Sequence, residues 1–390
     1  MTRGRTITLG MLWHSAASGN LGVTALTVAN LALVRQAAAR AGVTPRFVII
    51  GPREHLPPNV FGDYIESVAL DSRYLARRSG YWALLSRLDG LLDIGAGDSF
   101  ADIYSRRRFA MIYATKRLAR MRGKPLLFSP QTIGPFTKQP YRWLAGDAMT
   151  GSVGVVARDP ASAALARRLA PRARVIEAVD VAFALPFEPR NRATDHLDVG
   201  LNISGLLTTE SVNGTNRYGL SYDHEALFRG LVEALLARPN VRVHLICHVN
   251  AANIPGDDDG LVADRFARDY PQVISVPDFK TASDAKSYIS GLHMLVAGRM
   301  HACIAAFSSG VPVVPIAYSR KFSGLFTGVL GYEHILPVAG HDTASAIAFV
   351  LDRIDHRADL AEAIRLGSER VDGRLALYAT ELDHFIGNLI

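Results

Sequence analysis

Arg299 and His301 stand two positions apart at the head of a helical pattern, where a fixed cation and a titratable imidazole could serve the chemistry of an anion. The run from Leu295 to Gly310 reads as a buried strand, a tight turn at Gly298 and a helix that closes at Gly310. Open amides and the positive end of the helix dipole favour anions at such a start, and Arg299 adds a planar fork for a carboxylate or phosphate. His301 can move protons near neutral pH. Simple pairing of the two side chains with nearby acids accounts for an isolated instance equally well. The next strand ends in Ile316-Ala-Tyr-Ser-Arg-Lys-Phe322, so Tyr318, Ser319, Arg320 and Lys321 emerge at the same carboxyl edge one βαβ step away. A solvated basic turn is the competing reading.

Other loops follow strands in the same manner. Ser18-Gly-Asn-Leu-Gly22 leads into a helix, and around Asn20 and Gly22 its backbone amides can approach a polar ligand. A plain β-α loop has the same composition. Gly95, Gly97 and Asp98 repeat the arrangement, but the spacing is not GxGxxG, so no nucleotide cofactor is required. Asn202, Ser204 and Gly205 open another loop in which Ser204 could donate to an anion or merely shape a turn. His248 closes a strand as a polar residue of a cleft or as a structural histidine. His244 lies four residues before it on a strand rather than a helix, and Cys247 falls on the opposite face, which argues against zinc. Asp257-Asp-Asp259 lacks the alternating ligand spacing of a calcium loop and precedes a helix that acids would stabilise. No metal site is expected.

The elements that must position these residues alternate between short apolar runs and amphipathic helices, the pattern of parallel sheets covered by helices. Strands are predicted at Thr6–Trp13, Arg46–Ile50, Gly90–Ile94, Pro125–Ser129, Gly154–Ala157 and Arg174–Glu177, with helices at Leu21–Ala41, Tyr104–Met121, Tyr141–Thr150 and Ala161–Leu169. The Pro-, Arg- and Asp-rich segment from Phe187 to Asp198 breaks this periodicity and reads as a linker between residues 1–186 and 187–390. Beyond it, strands are predicted at Val199–Ile203, Val241–Cys247, Val273–Ser275, Met294–Ala297 and Val313–Ala317. Helices are predicted at Glu225–Ala237, Gly260–Asp269, Ser283–Leu292, His301–Ser308 and Thr343–Arg353.

A chain of 390 residues exceeds what one core supports, so two α/β domains are expected. The net charge of +7 favours anionic partners. Arg106-Arg107-Arg108 and Arg167-Arg168 lack interleaved aromatics and read as solvated helix faces, which disfavours nucleic acid. With only Cys247 and Cys303, neither a disulfide framework nor a structural zinc is expected, and a reducing cytoplasm suits the count. Arg3 and Arg5 before Ile7–Trp13 could imitate a signal peptide, but the apolar run is short and reads as the first strand. No uncharged apolar stretch approaches the ~20 residues of a membrane span, leaving peripheral contact at most.

Arg299-Met300-His301, Gly310-Val311-Pro312 and Ala317-Tyr318-Ser319-Arg320-Lys321 together resemble the signature of the polysaccharide pyruvyl transferase family. Further family-like segments occur in order: Asn20-Leu-Gly22, Asp93-Ile-Gly-Ala-Gly-Asp98, Gln131-Thr-Ile-Gly-Pro135, Ala157-Arg-Asp159 with Ser162, Asp180-Val-Ala-Phe183, Asn202-Ile-Ser-Gly205 and His248. Val23-Thr24 and Gly95-Ala96-Gly97 depart from an acidic pair and a glycine triplet found in many relatives. The resemblance implies two Rossmann-like parallel-sheet domains facing a cleft, as in glycosyltransferase-B folds. It also implies transfer of pyruvate from phosphoenolpyruvate to hydroxyls of a saccharide, free or lipid-linked, without a cofactor. His301 and Arg299 would then be catalytic. Arg320, Lys321, Tyr318, Ser319, Ser204 and His248 would line the donor side, and Asn20, Gly22, Gly95, Gly97, Asp98 and Gln131 the acceptor side. A sugar-nucleotide glycosyltransferase and a silent saccharide- or anion-binding protein of the same architecture are the alternatives.

Overall fold

The computed structural model describes residues 5–54, 56–192, 195–251 and 254–390. Arg3 of the basic N-terminal pair and positions 193–194 of the predicted linker lie outside them. The chain divides into two compact units, the first made of the chain up to Ser18, Leu26–Leu185 and Asp372–Ile390, the second of Gly19–Ala25 and Pro186–Val371. Two segments, residues 19–25 and 372–390, are thus exchanged relative to a division at the linker.

The first unit holds a seven-stranded sheet of β1 (Thr6–Leu12), β2 (Thr44–Gly51), β3 (Ile65–Ala69), β4 (Gly90–Asp93), β5 (Leu126–Gln131), β6 (Gly154–Ala157) and β7 (Val175–Glu177), in the order β3-β2-β1-β4-β5-β6-β7. All its pairings are parallel. The second unit carries β8 (Leu197–Asn202), β9 (Val241–Leu245), β10 (Ile274–Ser275), β11 (Met294–Ala297) and β12 (Val313–Pro315), parallel throughout, in the order β10-β9-β8-β11-β12. Both faces are covered by helices, which is why β6 and β11 are continuous apolar runs buried at every position, and β4 is buried throughout although it ends in Asp93. Besides short helical turns at Ser72–Ala76 and Ala83–Ser86, the helices are α1 (Leu21–Arg40), α2 (Arg106–Met121), α3 (Tyr141–Thr150), α4 (Pro160–Leu169), α5 (Gly205–Val212), α6 (His224–Leu236), α7 (Asp259–Asp269), α8 (Ala282–Ser290), α9 (Met300–Ser308), α10 (Arg320–Leu325), α11 (Thr343–Asp355) and α12 (Arg357–Gly387).

Edge strand β3 was not predicted, because its sequence Ile-Glu-Ser-Val-Ala is solvated along most of its length and carries no sustained apolar run. Helix α12 was also missed. Its buried residues Leu360, Ile364, Val371, Tyr378, Leu382 and Phe385 recur at helical spacing, but as one thin stripe among charges. Contrary to the expectation of no span-length segment, α1 is long and apolar enough to cross a membrane. Of its most apolar window, 72% is buried inside the protein, which makes it a core helix. In the first unit, the Tyr378 hydroxyl on α12 bonds Asn30 Oδ1 (2.7 Å) and Ser129 Oγ (2.9 Å), and Asn30 Nδ2 donates to His14 Nε2 at 2.9 Å. Burial pushes the His14 pKa down to about 3, which keeps the ring neutral and able to accept that bond.

Candidate functional site

Four strand ends of the five-stranded sheet deliver the expected residues to one carboxyl edge. β8 leads to Asn202 and Ser204, β9 to His248, β11 to Gly298, Arg299 and His301, and β12 to Tyr318 through Lys321. What joins the first three is Asp259, the first residue of α7. Its Oδ1 accepts from Arg299 Nη2 (2.7 Å), Arg299 Nε (3.0 Å) and the Gly205 amide (3.0 Å). Its Oδ2 accepts from Asn202 Nδ2 (3.0 Å) and the amides of Val249 (3.2 Å) and His248 (3.3 Å). The expectation that the acid run would stabilise a helix start holds for Asp258, which caps α7 through the Gly260 and Leu261 amides. Asp259 instead turns inward and is buried. One signal for it was available: a third acid beyond what a cap needs, in a unit rich in buried polar strand ends.

Arg299 therefore differs from the free clamp expected of it. Besides the Asp259 contacts, Nη2 donates to the Asp257 carbonyl (2.7 Å) and pairs with Asp257 Oδ1 (2.8 Å), leaving Nη1 outside these bonds. Burial opposes the guanidinium charge, but Asp259 and Asp257 outweigh it and hold the pKa above its usual value. Pairing with acids, which the sequence left open, describes two of the three guanidinium nitrogens.

Asn20 and Gly22, expected on the acceptor side, lie in the second unit. Asn20 bridges Val249, the Leu21 amide donates to His248 O at 3.2 Å, and the Asn250 amide donates to Gly19 O at 2.9 Å. A Cβ at position 22 would sit 2.3 Å from His301 Nδ1, so only glycine lets the start of α1 pass the imidazole. Gly22→Ala should favour the helix intrinsically, by about 1 kcal/mol, yet displace His301. Turnover is expected to fall on the order of 10²-fold, measured beside a melting curve that stays close to wild type.

His248 is buried, and its pKa falls to about 3 through burial first and the charges of His301 and Arg299 second. It is a neutral neighbour of His301, not a second acid. Ser204 N-caps α5 and Arg299 N-caps α9, neither with a side-chain cap bond, whereas α4, α6, α7, α8 and α11 are closed by Asp or Thr. Ser204 Oγ is buried without a hydrogen-bond partner among the described residues, as is His224 Nε2. A Cβ on Gly298 would lie 2.9 Å from Ser204 Cβ and 3.6 Å from His224 Nε2, which places all three together. His224, absent from the sequence prediction, bonds Thr208 Oγ1 at 3.2 Å, and burial followed by the Arg299 charge lowers its pKa to about 3. Tyr318 stacks edge-on with Tyr218 at 5.0 Å, and burial pushes its hydroxyl up to about 12. Ser319 precedes α10 without a cap bond, Lys321 is half-buried, and Arg320 is exposed with no ion pair among the described residues.

In the first unit, Gly95, Ala96 and Gly97 all take positive φ (53°, 49° and 85°) as the chain leaves β4, and Asp98 follows half-exposed. Gln131, expected to touch an acceptor, is fully buried. Its Nε2 donates to Asp93 O (2.7 Å) and Oδ2 (3.2 Å), and Asp93 pairs with buried Lys116 at 3.0 Å. Its side chain supports the glycine loop from beneath. Arg158 and Asp180, from two family-like segments, form a buried pair at 2.7 Å, and Asp159 caps α4 through Ser162. Those two segments are explained by packing. No group of three metal-ligating side chains occurs among the described residues.

Two parallel-sheet α/β units with polar groups gathered at carboxyl strand ends define a glycosyltransferase-B-like protein. Its structure is similar to UDP-GlcNAc 2-epimerase from Neisseria meningitidis bound to UDP-GlcNAc (TM-score 0.54, 11% identity, covering 97% of this chain and 99% of that one). MnaA of S. aureus with UDP gives 0.56 and 11% over 96% and 97%. An α,α-trehalose-phosphate synthase from Burkholderia vietnamiensis gives 0.53 and 11% over 99% and 97%. No match to a curated protein was found. The model of the polysaccharide pyruvyl transferase family matches residues 31–320, and the chain belongs to that family.

Proposed function

We propose that the chain transfers pyruvate from phosphoenolpyruvate to sugar hydroxyls as a ketal, during synthesis of a cell-surface or exported polysaccharide at the cytoplasmic side. The observation that carries this reading is His301 at the start of α9, fixed between Gly22 and the Asp259-held Arg299, beside helix starts that lack side-chain caps. Two hydroxyls of the acceptor add to the enol carbon, one of their protons reaches the methylene, and phosphate leaves with the other. His301 is the acid/base for these transfers. The α5 and α9 amides, Ser204 Oγ and Arg299 Nη1 bind the carboxylate and phosphate, with Tyr318, Ser319, Arg320 and Lys321 assisting from the next strand end. His248 stands near His301 as a neutral neighbour. The loop at Gly95, Gly97 and Asp98 receives the saccharide.

Incubation with phosphoenolpyruvate and a panel of lipid-linked or aryl glycosides, followed by mass spectrometry for the pyruvyl adduct, tests the reaction. Binding is the complementary measurement. Calorimetry should detect phosphoenolpyruvate with an affinity that weakens as salt rises, because Arg320 and Lys321 attract it electrostatically from the rim. A sugar-nucleotide glycosyltransferase remains the second reading, favoured by structural neighbours solved with UDP or UDP-GlcNAc. Binding of UDP-GlcNAc, with none of phosphoenolpyruvate at millimolar concentration, would transfer the assignment to it.

A further inference from the structure

The loops that leave β4 and β5 carry an apolar and basic surface that neither the fold nor the proposed reaction uses. Ile103 is 61% exposed, Tyr104 38% and Trp143 64%. Asp102 Oδ2 accepts from the Thr137 amide (2.6 Å) and hydroxyl (2.8 Å), which fastens the first loop to the second. Behind them, Phe109 of α2 meets Tyr141 of α3 at 4.8 Å, so the starts of the two helices are adjacent. Around the exposed aromatics stand Arg106, Arg107, Arg108, Lys138 and Arg142. Arg107 bonds the neutral hydroxyl of Ser72, half-buried Arg108 bonds that of Ser99 and lies 5.3 Å over the Tyr104 ring, and the other three make no ion pair among the described residues. Of the two acids in these loops, Asp102 is engaged by Thr137, and Asp98 faces Tyr104.

We infer that this surface docks on an anionic lipid bilayer. Tryptophan and tyrosine prefer the headgroup level, where an apolar ring and a polar tip are both satisfied, and Ile103 adds an insertion point. Cations without carboxylate partners supply the attraction to anionic headgroups near the surface. Helix faces that read as merely solvated in the sequence thus acquire a partner once Ile103, Tyr104 and Trp143 prove exposed beside them. Both loops issue from the strand edge that bears Gly95, Gly97 and Asp98, so docking brings that edge to the membrane. The inference stands independently of which reaction the protein performs.

Trp143 is the exposed member of the three tryptophans, and Trp13 is buried, which makes emission a local reporter. The full chain should sediment with vesicles of phosphatidylcholine and phosphatidylglycerol but not of phosphatidylcholine alone, with a blue shift that Trp143→Phe removes. Ile103→Ser with Trp143→Ser, and separately Arg106→Gln with Lys138→Gln and Arg142→Gln, should each weaken binding by about tenfold or more at unchanged melting temperature. Equal binding to neutral vesicles, no blue shift, or indifference to both sets of substitutions would overturn the inference. So would preferential capture by single-stranded nucleic acid that displaces the vesicles.

Discussion

His301→Asn is expected to lower turnover by ~10²- to 10⁴-fold, the usual consequence of losing a general acid/base, while phosphoenolpyruvate affinity and the melting curve stay close to wild type. Asparagine is polar and of similar breadth, so it fits against Gly22, but it cannot titrate near neutrality. Single-turnover kinetics with calorimetry separates the two effects. Arg299→Lys is the contrast. It keeps the charge but loses the planar fork that meets Asp259 with Nε and Nη2 together, so it should raise the apparent KM for the donor as well. A His301→Asn protein with near-normal turnover, beside an inactive Arg299→Lys, would remove the acid/base assignment from His301.

The second large effect concerns folding. Asp259→Leu removes the carboxylate that both Nε and Nη2 of Arg299 meet, leaving only Asp257 beside the guanidinium, and deprives Gly205, Asn202, His248 and Val249 of their shared acceptor. Breaking one side of a buried ion pair typically costs ~3–5 kcal/mol, and an unfolding free energy lowered by that order, read from urea titration, is expected. Replacing both partners by apolar groups often restores what either single change loses. Asp259→Leu with Arg299→Met should therefore recover only the part of the lost stability that comes from the unpaired guanidinium, since the four other donors to Asp259 stay without an acceptor, and none of the turnover. If the double variant is no more stable than Asp259→Leu alone, the pair is not what organises these strand ends.

Much of this arrangement was legible from residue order. Strands β6 and β11 and helix α3 fall where apolar runs and periodicity put them, because a strand buried on both faces and a helix with one apolar face each leave a clear imprint. The gathering of Ser204, His248, His301 and Tyr318 at one sheet edge follows from the same alternation. Roles that depend on long-range partners were not legible. Gln131 reads as an acceptor-side residue of a family-like segment until its bonds to Asp93, itself paired with Lys116, are seen. Arg299 reads as an open clamp until Asp259, forty positions earlier, is found against it. His224 sits in an ordinary helix start, and only the close approach of Gly298 gives it significance. Spacing records neighbours along the chain, whereas these contacts are made across it.

The exchange of residues 19–25 and 372–390 has a bearing on how such proteins can be dissected or recombined. Neither unit is a contiguous stretch of gene. Cleavage near residue 186 would yield an amino-terminal fragment lacking Tyr378, the residue that closes the buried network of His14, Asn30 and Ser129. The carboxyl-terminal fragment would lack the Gly19–Ala25 segment that lies along His248 and His301. Exchanging one unit between relatives by a single crossover would therefore sever both. A graft that respects the architecture must carry the outer segments with the unit they complete, or leave them behind together.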